Sequence, residues 1–178
     1  MMPSQRRALV LGGTGMLAGC VEALTSEGWY VVSPSRRRPL DTHGAVWVQA
    51  DWAQPNELAE RAHIALGGPA SLLVAWIHGS FRVPVLRAVS PLLEEDSPVV
   101  EVHGSASANP LQGCPEPVLS GNPTQQVVLG FRRNAGRTRW LTHRETAEGV
   151  MAGVRRALDG RQHAVHQVGE FRPWTALH

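Results

Sequence analysis

The segment "RRALVLGGTGMLAGCVEALTSEG", residues 6–28, constrains the fold more than any other stretch of the chain. Ala8 to Leu11 are all apolar, without the alternation of a half-exposed strand, which marks a strand buried on both faces. Glycine ends the run. Leu17, Val21 and Leu24 then recur at helical spacing, so residues 15–27 are expected to form a helix that Gly28 stops. A buried strand, a glycine turn and a helix in that order begin a βαβ unit, which needs a parallel sheet covered by helices on both faces.

The chain keeps that rhythm. "WYVVS" reads as a second strand ending at Ser33, and "AVWVQA" as a third. "PNELAERAHIALGG" reads as a helix with Pro55 in its first turn and glycines at its end. "SLLVAWI" is a fourth strand, residues 80–95 a helix bent at Pro91, and "PVVEV" a fifth strand. The expectation is one α/β domain over residues 1–178, a Rossmann-like doubly wound parallel sheet. "GSASANPLQGCPEPVLSGNPT" then breaks the pattern with prolines and glycines. "QQVVLGFRRNAGRTRWLT" reads as a strand, a turn at Asn134-Ala135-Gly136 and a short strand. Thr142 and Glu145 have capping-box spacing, which opens a C-terminal helix from about His143 to Leu158 that Gly160 ends. "HAVHQVGEF" reads as the last strand.

Gly13-Thr14-Gly15-Met16-Leu17-Ala18 matches G-x-G-x-x-G/A in the strand-to-helix context that the motif needs, with Gly12 just before it. Gly13 is expected to make the tight turn and Gly15 to let the backbone approach a pyrophosphate. Ala18 is small enough for the helix to pack near the strand. Free N–H groups and the helix dipole along this loop favour an anion; a glycine-rich turn with no ligand is the alternative. The second strand leads into Pro34-Ser35-Arg36-Arg37-Arg38, where an NAD site usually carries Asp or Glu for the ribose 2′-hydroxyl. Hydroxyls and guanidinium forks at Ser35, Arg36 and Arg37 suit a 2′-phosphate, so NADP is expected over NAD; a solvated basic turn is the competing reading. Asp51 follows the third strand and is placed either to accept from an adenine amino group, with Trp52 packing nearby, or to cap the helix before Pro55.

Composition removes several chemistries. All 17 basic residues are arginine, so Schiff-base, P-loop and Tyr-Lys mechanisms are excluded. A net charge of +2 is too mild to imply nucleic acid. No apolar run is long enough for a bilayer, and the start lacks a signal-peptide pattern, so no membrane partner and a cytoplasmic location are expected. Cys20 and Cys114 read as unrelated thiols. The eight histidines show no metal-ligand spacing, so no metal is expected, and no G-x-S-x-G elbow occurs.

"LVLGGTGMLAG", "QADWAQPNEL" and "LLVAWIHGS" together resemble the short-chain dehydrogenase/reductase superfamily, in its atypical branch. Gly12, Gly15 and Ala18 fit that branch's spaced glycines, with alanine in place of the third. The resemblance makes Asp51 the adenine-contacting aspartate. It aligns Ala75-Trp76-Ile77-His78 with an Asn-Asn-Ala-Gly stretch lining the cofactor, which makes Trp76 a candidate contact, although a core role competes. "VVEVHGS" falls where the family ends a strand in its catalytic serine, and Ser105 is the nearest serine. The implied activity is NAD(P)-dependent oxidoreduction. The family's Tyr-Lys pair is missing: Tyr30 lies in the second strand, and a Pro-rich loop replaces the helix that carries the pair. Histidine is then the remaining general acid. His78-Gly79-Ser80 and His103-Gly104-Ser105 close the fourth and fifth strands, which makes His78, His103 and Ser105 the candidate catalytic residues, against structural capping of backbone.

Two functions stay open: an NADP-dependent reductase of a small carbonyl substrate, and a dinucleotide-binding sensor or scaffold that acts through a protein partner. Homo-oligomerisation stays open with them.

Overall fold

The computed structural model describes residues 5–104 and 114–170. Seven parallel strands form one sheet in the order β3-β2-β1-β4-β5-β6-β9. They are β1 (Arg7–Leu11), β2 (Tyr30–Ser35), β3 (Val46–Gln49), β4 (Leu72–Ala75), β5 (Val99–Gly104), β6 (Thr124–Leu129) and β9 (Val165–Val168). β1 is flanked by β2 and β4, and Ala8 to Leu11 are fully buried, as a continuous apolar run requires. Helices α1 (Ala18–Ser26) and α4 (His143–Leu158) cover one face, and α2 (Pro55–Leu66) and α3 (Arg82–Val89) the other. The architecture is the expected α/β Rossmann-like sheet with an added hairpin and C-terminal helix. No helix among the described residues is long and apolar enough to cross a membrane.

The element ends have local causes. α2 starts at Pro55 and ends on Gly67 in the left-handed region, φ 64°. α4 opens with a complete capping box: the Glu145 N–H donates to Thr142 Oγ1 at 3.1 Å, and the Thr142 N–H donates to Glu145 Oε1 at 3.3 Å. The 80–95 segment is α3 between two short 3-10 turns, Gly79–Phe81 and Ser90–Leu92, the second holding Pro91.

Three boundaries differ from expectation. α1 begins at Ala18, not residue 15, because residues 12–17 are spent on the turn out of β1. β2 runs past Ser33 to Ser35, with Pro34 facing Val48 in the β3 pairing. The stretch read as one strand from Gln125 up to the turn at Asn134 breaks at Gly130. β6 joins the main sheet, while β7 (Phe131–Asn134) pairs antiparallel with β8 (Arg137–Trp140) in a separate hairpin. The Gly130 N–H donates to Val168 O at 2.8 Å, so a contact distant in sequence sets the break. The hairpin turns through Ala135 (φ 52°) and Gly136 (φ 79°), both in the region that two-residue hairpin loops need.

Arg132 and Arg139 face each other across the hairpin, a like-charge pair that would destabilise it alone. Glu145 resolves the repulsion, accepting from Arg132 Nε and Arg139 Nη1 at 2.8 Å each. These donors hold its carboxyl down to about 2, Arg139 contributing most. The clamp is therefore complete above the ordinary carboxylate value of 4.5 and is lost as pH falls toward 2.

The edge strand β9 is held from both faces by adjacent glutamines of β6. Gln125 Oε1 accepts from His166 Nε2 at 2.8 Å, and Arg156 donates to His166 Nδ1. On the other face Gln126 Nε2 donates to His163 Nε2 at 3.1 Å. His166 thus has a donor aimed at the nitrogen that would take a proton, and burial, then Arg156 and His163, lower its pKa.

Packing and titration each give a prediction. A Cβ on Gly19 would lie 2.6 Å from Ala147 Cβ, where α1 meets α4. Gly19→Ala gains up to about 1 kcal/mol of helix propensity but overpacks at a cost of about 1–3 kcal/mol. Chemical denaturation is expected to show net destabilisation of about 1 kcal/mol; a stabilised variant would show the helices can part. Because His166 binds its proton more weakly folded than unfolded, its contribution is present above the ordinary value of 6.5 and lost as pH falls below it. The hydrogen-exchange protection factors of residues 165–168, each rate being referred to the intrinsic rate at the same pH, should therefore fall on acidification in the wild type and much less in His166→Gln. Equal pH dependence in both proteins would contradict this.

Candidate dinucleotide cleft at the carboxyl ends of the strands

The chain leaves β1 and β4 toward opposite faces of the sheet, which opens a crevice beyond their carboxyl ends. A cleft of about 550 Å³ occupies it. The glycine loop forms its floor at Gly12, Thr14, Gly15 and Met16. The end of β2 supplies Ser35, Arg36 and Arg37, and the end of β3 supplies Asp51 and Trp52. Trp76, His78 and Phe81 close the side that follows β4. Residues far apart in sequence thus meet in one concave site, as the motif and the strand ends implied.

The loop glycines divide their work differently from expectation. Gly12, not Gly13, makes the tight turn, at φ 91°, and a Cβ there would stand 2.9 Å from the Trp76 carbonyl oxygen. Gly13 points inward, where a Cβ would meet Ser33 Oγ at 2.6 Å and Val21 Cγ2 at 2.8 Å, so it is not on the cleft wall. Gly15 faces open space, as close approach of a ligand to backbone requires. Leu17 is fully buried and belongs to the core. It also caps α1, with no side-chain hydrogen bond and no acidic residue in the first helical turn. The positive end of α1 is thus left to backbone N–H groups alone, the arrangement that suits a phosphate.

At the basic end, neither Arg36 nor Arg37 is in an ion pair among the described residues. Arg38 instead lies over the Trp47 ring, 6.0 Å from its centroid. Asp51 does not cap α2; the N-cap is Gln54. Asp51 Oδ1 accepts from the Ala53 N–H at 2.9 Å in a local turn, and the exposed carboxylate stays on the cleft wall. The aromatic wall is continuous: the His78 ring lies 5.6 Å from Trp52 and 6.1 Å from Trp76, and Phe81 lies 6.3 Å from Trp52. Trp76 lines the cleft and also packs partly on the core. Phe81 escaped the sequence reading because it was counted into a helix. A large aromatic just past a strand's carboxyl end was the available signal.

The histidines separate. His78 is exposed in the cleft. His103 is buried on the side of β5 turned away from α4 and does not line the cleft; its Nε2 donates to Gln126 Oε1 at 2.8 Å. The Cys114 thiol donates to the same oxygen at 3.0 Å. Burial, the largest influence, lowers the His103 pKa, so the ring is held neutral. Burial likewise pushes the Cys114 thiol up to about 11, away from thiolate chemistry. Beside them the Arg82 Nε–Glu101 Oε1 pair, at 2.7 Å, is largely buried, and Arg82 Nη2 holds the Glu116 carbonyl at 2.8 Å. Ser105 lies outside the described residues.

No protein-family model and no curated protein matches the sequence. Solved structures do match. They include NADH-dependent reductase A1-R′ complexed with NAD, with a TM-score of 0.67 and 14% identity over 92% of this chain and 95% of that one. A 3-oxoacyl-[acyl-carrier protein] reductase from Brucella melitensis matches with a TM-score of 0.69 and 14% identity over 94% and 97% of the two chains. A short-chain dehydrogenase/reductase from Serratia marcescens matches with a TM-score of 0.62 and 14% identity over 94% and 99%. At such identities what is shared is the fold: the chain has the fold of short-chain dehydrogenases and reductases over nearly its whole length.

Proposed function

We propose that the chain is a short-chain dehydrogenase/reductase-like oxidoreductase that binds NADP(H) and reduces a small carbonyl compound. One observation carries the reading. A single cleft at the switch point brings together an open glycine backbone, a helix N-terminus with no side-chain cap, two arginines in no ion pair among the described residues and an aromatic wall with an exposed histidine. The fold neighbours that act as reductases support the same reading.

The residues present fit the cofactor. Backbone N–H groups at Met16 and in the first turn of α1 beyond Ala18 would hold the pyrophosphate, with Gly15, whose own N–H donates to Gly12 O, leaving the approach clear. Arg36 and Arg37 would hold the 2′-phosphate, and Asp51 would accept from the adenine amino group beside Trp52. When bound, the nicotinamide supplies a hydride equivalent. His78 is the cleft's own titratable donor, placed to deliver a proton to a developing alkoxide. Trp52 and Trp76 flank its ring at 5.6 and 6.1 Å. His103, neutral and tied to Gln126, supports the end of β5 and stands one strand away from that chemistry.

Arg36→Ala should weaken NADPH about tenfold or more, the scale of a charge-assisted hydrogen bond, and leave NADH nearly unchanged. Calorimetric titration measures both, and equal losses for the two cofactors would remove the NADP assignment. Across a panel of aldehydes and ketones, followed by NADPH oxidation, His78→Ala should lower kcat about a hundredfold or more while NADPH still binds. His103→Ala should cost less. The reverse order would move the proton donor to His103. NADPH binding without turnover of any panel member would favour a sensor.

A further inference from the structure

A second cavity, of about 260 Å³, lies behind the glycine loop on the α1 side of the sheet. Residues 36–45 join β2 to β3 without a helix. This connection is tied to the end of α1, where Thr25 Oγ1 donates to the His43 carbonyl at 2.7 Å. The space left under it is walled by Ala18 and Val21 of α1, Ser33 of β2, Trp47 of β3 and Ala45. Gly13 roofs it, and Thr14 stands between it and the dinucleotide cleft, lining both. Ser33 Oγ sits at the inner end, so close under Gly13 that a Cβ there would lie 2.6 Å from it.

Ser33 is 4% exposed, and its hydroxyl has no hydrogen-bond partner among the described residues. A buried hydroxyl without a partner is costly and calls for an explanation. Most of the wall around it is apolar. Trp47 offers the cavity only ring carbons, because its N–H is spent on Ser35 Oγ at 2.8 Å. Asp41, at the rim, is engaged by the His43 ring at 3.6 Å and by the His43 N–H at 2.8 Å, so its charge is matched locally. Leu40 stands fully exposed at the same rim and would be covered as a ligand fills the space. An apolar cavity of about 150 Å³ already holds a benzene ring, so this one has room for a ring with a substituent. We infer that the cavity binds a small, uncharged molecule of one or two rings carrying one hydroxyl or carbonyl group. Ser33 Oγ is its hydrogen-bond partner, and Trp47 lies against its ring. The cavity lies over β2 and β3, whereas His78 follows β4, so its occupant is not the reacting compound. The inference stands whether or not the cleft holds a dinucleotide.

Phenol is the probe, with toluene as a ring of similar size that cannot hydrogen-bond. Amide NMR titrations of the wild type and Ser33→Ala test the site. Phenol should shift the signals of Thr14, Ala18, Ser33, Ala45 and Trp47 saturably in the wild type. Ser33→Ala should weaken phenol by about three- to tenfold and leave toluene unchanged or tighter. The variant removes an unpartnered hydroxyl, so its melting temperature without probe should stay level or rise. That reading also shows that the variant folds. Phenol binding equally well to both proteins would overturn the inference, as would toluene weakening as much as phenol. A lowered melting temperature in Ser33→Ala would also overturn it, since the hydroxyl would then already have a partner such as a bound water. Shifts centred on Trp52, Trp76 and His78 would put the probe in the cleft instead, and no saturable shift with phenol would leave no site at all; either result overturns it.

Discussion

The close approach of the turn after β1 to the end of β4 is the contact on which the site depends. Gly12 stands where a single Cβ would press on the Trp76 carbonyl oxygen at 2.9 Å, and the Trp76 N–H in turn donates to Leu11 O at 2.9 Å. Because the chain turns there without a side chain, the loop can lie flat over the switch point and bring Gly15 to open space. The same contact places Trp76 beside the loop and carries His78 into the cleft. Replace glycine by any other residue and both the positive φ and the steric gap are lost together. The cofactor end and the candidate proton donor are thus positioned by one strand-to-strand contact.

The far side of the sheet is built on other terms. α4 packs on β5 and β6 from one side, against Val100, Val102, Val127 and Leu129, whereas on their other side the two strands turn polar side chains inward. Glu101, His103 and Gln126 are all buried, and each is matched: Glu101 by Arg82, and His103 by Gln126, which also takes the Cys114 thiol and reaches His163. Buried polar groups are tolerable only when satisfied in this way. The network gives the sheet a closed, hydrogen-bonded flank where an apolar helix layer would otherwise be required, and it accounts for His103 without asking catalysis of it. Arg82 is the joint, since it leaves the start of α3, neutralises Glu101 and fixes the Glu116 carbonyl.

The sheet was legible because its signals are local. Uninterrupted apolar runs marked β1 and β4, Pro55 and Gly67 framed α2, and the Thr142–Glu145 spacing placed α4 to the residue. The break at Gly130 was not legible, because it is made by Val168 from the end of the chain. The motif located the glycine loop but misassigned its turn by one residue, since φ at Gly12 depends on the neighbouring strand. The arginines after β2 were legible as charge. The state of the Ser35 hydroxyl was not: the Arg37 carbonyl that takes its proton lies along the chain, but Trp47, which donates to it, lies across a strand pairing. His78 and His103 looked equivalent as repeated tripeptides, and only burial told them apart.

The central claim is that the crevice between β1 and β4 is a nicotinamide-dinucleotide site. Trp52 and Trp76 line it, so a bound reduced dinucleotide should take up excitation energy from their indoles. Titration of the wild-type protein with NADPH, exciting tryptophan and recording the nicotinamide emission, is the most direct measurement. The account predicts a saturable transfer signal at one dinucleotide per chain, and loss of that signal on adding excess NADP⁺. A signal that rises linearly without saturation, or none at all, would contradict it.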